Sequence, residues 1–90
     1  MTDARARVVI RGRVQGVFFR VETRERARSL GLAGWVRNNS DGTVEAVFEG
    51  DRDRVDSMIV WCRRGPVAAD VEDVEVEWTE PRNEHGFATR

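Results

Sequence analysis

The spacing of apolar residues along this chain switches repeatedly between two and about 3.6, and that succession restricts the fold more than any single motif. Residues 5–13, RARVVIRGR, alternate: Ala6, Val8 and Ile10 share one face, while Arg5, Arg7 and Arg11 share the other with Val9. This is the pattern of a strand covered on one side. Beyond a glycine-bounded loop, Phe19, Thr23, Ala27 and Leu30 recur at helical spacing, Glu22 and Arg26 stand as an i,i+4 pair, and Gly31 closes the helix. Two extended runs then flank Asn38 to Gly42, where Asp-Gly is a strong turn signal, so a hairpin is expected with Trp35 on its first strand and Val44, Ala46 and Phe48 on one face of its second. Asp51 is placed to cap a second helix carrying Val55, Met58, Ile59 and Cys62 at i, i+3, i+4 and i+7; Arg63, Arg64, Gly65 and Pro66 end it. VEDVEVEWTE alternates Val74, Val76 and Trp78 against Glu75 and Glu77 as a fourth strand, and Phe87 adds a last contact in a short tail.

Strand, helix, strand, strand, helix, strand predicts a split βαβ, ferredoxin-like α+β sandwich (βαββαβ): an antiparallel four-stranded sheet with two helices on one face. With 90 residues and no linker, repeat or low-complexity run, a single domain over 1–90 is expected. That fold serves enzymes, RNA binders and metabolite sensors alike, so function has to come from particular residues.

Composition removes several chemistries. The fifteen basic residues are all Arg, which excludes Schiff-base or lysine general-base catalysis. One Cys cannot form an internal disulfide, and one Cys with one His, His85, supplies the usual Cys/His metal sets and a Cys-His or Ser-His triad only thinly, so metal-free chemistry is favoured and no cofactor is expected. A net charge of -1 gives no global field toward nucleic acid or an anionic membrane. The polar start of the chain and the lack of a long apolar stretch make a cytoplasmic protein the expectation.

One stretch resists a purely structural account. RGRVQGVFFR, residues 11–20, leads into the first helix with no Ser, Thr, Asp or Asn at the capping positions, leaving the first backbone N–H groups without a side-chain acceptor. Arg20 then stands at the positive end of the helix dipole, where it opposes the dipole until an anion lies between them. Open amides in a loop bounded by Gly12 and Gly16 form a nest suited to phosphate. Glycines in such a turn also serve backbone geometry alone, with Val17, Phe18 and Phe19 plugging the sheet edge.

GRVQGVFFR, followed eighteen residues after its arginine by the first asparagine of GWVRNNSDGTVEA, resembles the acylphosphatase family. The resemblance runs through EGDRDRVDSMIVWCRRGP to the closing Gly86 and Phe87. It implies hydrolysis of the carboxyl-phosphate bond of small acyl phosphates, giving carboxylate and inorganic phosphate, without metal or covalent intermediate. Carried onto this chain, Gln15, Gly16, Val17, Phe18, Phe19 and Arg20 form the phosphate-binding loop, Arg20 holds the phosphoryl group and Asn38 positions the attacking water. A carboxylate leaving group needs no proton, so a missing catalytic His fits. Asn39 stands where many animal members carry a hydroxyl residue, and the C-terminal EPRNEHGFATR looks microbial.

Other residues carry plainer expectations. Asn38 also suits a turn; Cys62 is a small core residue; His85 is solvated; Trp61 lies off the apolar stripe and is expected at a partly exposed edge. Glu72, Glu75, Glu77 and Glu80 read as a solvated strand face, with Arg5, Arg7, Arg11 and Arg13 on the outer face of the sheet opposite some of them. An RNA-binding module would need stacking aromatics on the central strands, whereas the Phe pair falls in a loop, no Tyr is present and the net charge is slightly acidic, so no nucleic-acid partner is expected; the same charge and the lack of a long apolar stretch leave no membrane partner expected. A silent phosphate-binding domain, as found within larger maturation proteins, is the other alternative; retention of both Arg20 and Asn38 favours a free-standing enzyme, and a monomer is expected.

Overall fold

The computed structural model describes residues 3–90. Strand β1 (Asp3–Arg13) is followed by helix α1 (Phe19–Ser29), the hairpin β2 (Ala33–Asn38) and β3 (Val44–Asp51), helix α2 (Arg52–Arg64), β4 (Asp70–Thr79) and a short β5 (Phe87–Thr89). The sheet order is β4-β1-β3-β2-β5.

Alternation sets the inner face as expected. Ala6, Val8 and Ile10 of β1 meet Val44, Ala46 and Phe48 of β3, all with no exposed surface, beneath Val55, Met58 and Cys62 of α2 and Phe19 and Ala27 of α1. Full burial of a side chain such as Phe48 contributes on the order of 2–3 kcal/mol. The end of α1 is locked by Leu32 N–H to the Ala27 carbonyl at 2.9 Å across left-handed Gly31, a Schellman closure.

The sheet departs from the expected four antiparallel strands. Residues 87–89 form a fifth, paired parallel to β2. Three residues are too short to announce a strand by alternation; tertiary packing defines it. Phe87 stacks on Phe48, ring centroids 5.7 Å apart and planes 11° apart, and the Arg28 guanidinium of α1 donates to the Phe87 carbonyl at 2.9 Å.

Trp61 also departs: it is 5% exposed rather than at a partly exposed edge. It packs edge-on to Phe19 at 5.5 Å, and Arg26 lies 5.1 Å from its ring, so Arg26 serves α2 instead of pairing with Glu22. On the uncovered sheet face the arginines of β1 do face Glu75 and Glu77, but the shortest pairing of Arg7 is with buried Glu45 of β3 at 2.6 Å, and Arg5 approaches buried Glu49 at 3.7 Å. Cys62 is buried and free, with burial pushing its thiol up to about 12. His85 is exposed.

Candidate active site

The chain leaves β1 through an irregularity between Arg11 and Gly12 in its pairing with β4. A Cβ on Gly12, at φ 125°, would run into the Asp70 carbonyl oxygen, so only glycine lets the strand turn out here. Gly16, at φ 75° with open space around it, supplies a second left-handed step in the loop. Phe18 then caps α1 at φ 66°, ψ 18°, with no side-chain hydrogen bond to the helix start.

These turns leave a run of donors open. The first bond of α1 is Glu22 N–H to the Phe18 carbonyl at 3.1 Å; among the described residues, no backbone N–H from Gln15 through Val21 has a protein acceptor. Neither the Arg20 guanidinium nor the Asn38 carboxamide has a side-chain partner among the described residues either. Both line one cleft of about 240 Å³ with Val14, Gly16, Phe18, Phe19 and Val21. Asn38 is the last residue of β2, paired with Val44, so a strand end sets it rather than the turn that follows. The cleft contains no carboxylate, and Arg20 is its one charged side chain. A wider hollow of about 580 Å³ at the opposite end of the sheet sets the carboxylates of Asp3, Glu49, Asp51 and Glu84 against one guanidinium, Arg54, with His85 beside them, a net negative lining that disfavours phosphate.

Gln15 does a different job from its neighbours. Its Nε2 donates to the carbonyls of Asn39 (2.7 Å) and Thr43 (2.9 Å), pinning the loop to the β2–β3 turn. Asn39 in turn donates to Thr43 Oγ1 at 3.0 Å and Glu45 Oε1 at 3.2 Å, and Arg37 reaches Glu45 at 3.0 Å. Burial pushes the Glu45 carboxyl upward, but hydrogen bonds from Arg37, Arg7 and Asn39 outweigh it and hold it below the ordinary value. This polar cluster fixes where Asn38 stands relative to the loop. Sequence reasoning gave it no role: alternation puts Glu45 on the outer face, but nothing in it marks a buried carboxylate between two arginines.

A two-layer α+β sandwich whose strand-to-helix loop leaves its amides open beside a single cation has the donors and charge that suit an anion. The comparisons identify its family. The family model described as Acylphosphatase matches residues 6–89. An acylphosphatase of Chloroflexus aurantiacus is 59% identical over 89 residues, covering 99% of this chain and 97% of its own. The structure of an acylphosphatase from Coxiella burnetii superposes with a TM-score of 0.94 at 39% identity, covering 98% of this chain and 93% of that one. Full-length HypF, solved in a phosphate- and nucleotide-bound form, matches 99% of this chain with 12% of its own at a TM-score of 0.92 and 26% identity. The chain belongs to the acylphosphatase family, hydrolases acting on acyl phosphates.

Proposed function

We propose that the enzyme hydrolyses small acyl phosphates without a metal, by in-line attack of a water held by Asn38 on a phosphoryl group cradled by the Gln15–Arg20 loop and gripped by Arg20. The observation that carries this reading is the run of backbone donors from Gln15 through Val21, beside Arg20 and Asn38 in one cleft, all without a partner among the described residues. Phosphoryl transfer is largely a matter of placing the nucleophile and stabilising the equatorial oxygens, and preorganised amides with one planar guanidinium supply both directional donors and charge. An anion between the α1 amides and Arg20 also removes the conflict between that cation and the helix dipole. Asn38 offers a donor and an acceptor, so it orients water without titrating. As the water oxygen bonds to phosphorus, the pair of the breaking P–O bond stays on the carboxylate, which leaves unprotonated, and the proton that the water sheds passes to a phosphoryl oxygen of the product phosphate or to solvent. No general acid is required near neutral pH.

Gln15 supports the cradle through the Asn39 and Thr43 carbonyls instead of touching phosphate. We place the enzyme in the cytoplasm as a monomer: its buried thiol is unpaired, and its outer sheet face is occupied by its own ion pairs. Among the described residues no helix is long and apolar enough to cross a membrane.

The test is hydrolysis of benzoyl phosphate in excess EDTA, for the parent chain beside Arg20→Gln. Activity in the parent and its loss in the variant are expected. Activity that needs an added divalent ion would overturn the metal-free reading. Hydrolysis equal in both chains would move the phosphoryl site away from Arg20.

A further inference from the structure

Phe18 carries two burdens that the fold does not relieve. Its backbone, at φ 66°, lies in the left-handed region, where a bulky side chain is strained and glycine is not. Its ring is 73% exposed, so it makes little packing in exchange. Val21, 43% exposed, lies in the first turn of α1 and opens onto the same cleft as Phe18, the residue just before that helix. Both line the cleft, above Val14 and Phe19, which are buried and form an apolar floor.

The two ends of an acyl phosphate make opposite demands. The phosphoryl end needs donors and charge, which the loop amides and Arg20 provide. The acyl end must then extend past the rim, where this chain offers the Phe18 ring and the Val21 methyls. No second cation lines the cleft for a charged acyl group, and no side-chain amide besides Asn38 is present for a polar one. Resting on the proposed reaction, we infer that Phe18, with Val21, is the acyl subsite and the specificity determinant of this enzyme, favouring acyl phosphates with a flat apolar acyl group, such as an aroyl phosphate, over short or polar ones. Covering an exposed ring with an apolar acyl group takes both surfaces out of water, and a planar group gains stacking as well. A short acyl group leaves most of the ring wet.

The experiment compares kcat/KM for benzoyl phosphate and acetyl phosphate in the parent, Phe18→Gly and Phe18→Leu, with inorganic phosphate as a competitive inhibitor reporting loop integrity. Glycine removes the ring in a backbone conformation it adopts without strain; leucine keeps apolar bulk. The ratio of benzoyl to acetyl kcat/KM should fall about tenfold in Phe18→Gly, where the aromatic acyl group no longer has a ring to cover, and recover in part in Phe18→Leu. A ratio unchanged in both variants overturns the assignment while leaving the proposed reaction standing. Equal losses on both substrates with a raised phosphate inhibition constant also overturn it, making Phe18 a loop-shaping residue. A parent chain that hydrolyses neither substrate defeats the proposed reaction itself, and the subsite with it.

Discussion

The two helices begin in opposite ways. At α2, Asp51 accepts the Asp53 N–H at 2.9 Å and adds negative charge at the helix start, so the helix is capped from within its own sequence. At α1 the capping position holds Phe18 in a left-handed conformation, no side chain takes the free amides, and Arg20 adds positive charge to the positive end. One start is closed and serves stability. The other is open and incomplete as a structural element, with donors, a cation and the Asn38 carboxamide gathered at one cleft. The contrast separates a helix start closed by its own side chain from one whose first turn, on the reaction proposed above, receives the phosphoryl group.

The sharpest way to break this comparison is at Arg20. Arg20→Lys keeps the charge and loses the planar fork; kcat/KM should drop about a thousandfold, in the range observed when a guanidinium on a transferring phosphoryl group is lost, and inorganic phosphate should cease to compete. Steady-state rates with phosphate as inhibitor check this, and retained turnover would show that the open start of α1 is not the phosphoryl site. Asn38→Ala comes next, with kcat lowered by roughly 3 kcal/mol, the scale of one positioned transition-state group, and KM changed far less. A pure KM effect would reassign Asn38 to ground-state binding. On the closed side, Asp51→Ala should destabilise the fold by about 1 kcal/mol in a denaturant titration and leave kcat as it was. Should kcat fall with it, the two helix starts are coupled and the division is wrong.

The smallest effect concerns the closed polar cluster beneath Asn39. Glu45 is held below its ordinary 4.5 in the folded chain. Between that lowered value and 4.5 the unfolded chain binds more protons, so the carboxylate's contribution to stability is complete above about 4.5 and is lost as pH falls through the folded value. Unfolding midpoints measured down this range should show an acid limb that Glu45→Gln flattens. An identical limb in the variant would mean that other carboxylates govern it.

Where a local rule was strong, the sequence was easy to read. Strict alternation in β1 and β3 put Ala6, Val8, Ile10, Val44, Ala46 and Phe48 inside, and all are fully buried. The Asp51 cap, the Asp-Gly turn and the bare start of α1 are likewise statements about neighbours a few residues apart. Trp61 shows where such reading fails: helical spacing places it off the stripe, but Phe19 and Arg26 of the other helix close over it. Strand β5 fails for a related reason, since its pairing depends on β2 and Phe48, both distant in sequence.

By itself, then, the sequence determined the order of elements from β1 to β4, the inner face of the sheet and the uncapped start of α1, because periodicity and capping act over a few residues. Only the tertiary structure decided that Asn38 faces the same cleft as Arg20, that Gln15 is spent on the Asn39 and Thr43 carbonyls, and that Glu45 is buried between Arg7 and Arg37. Each of these joins segments distant in the chain through a side chain's reach and direction, which depend on how the strands register and the helices pack.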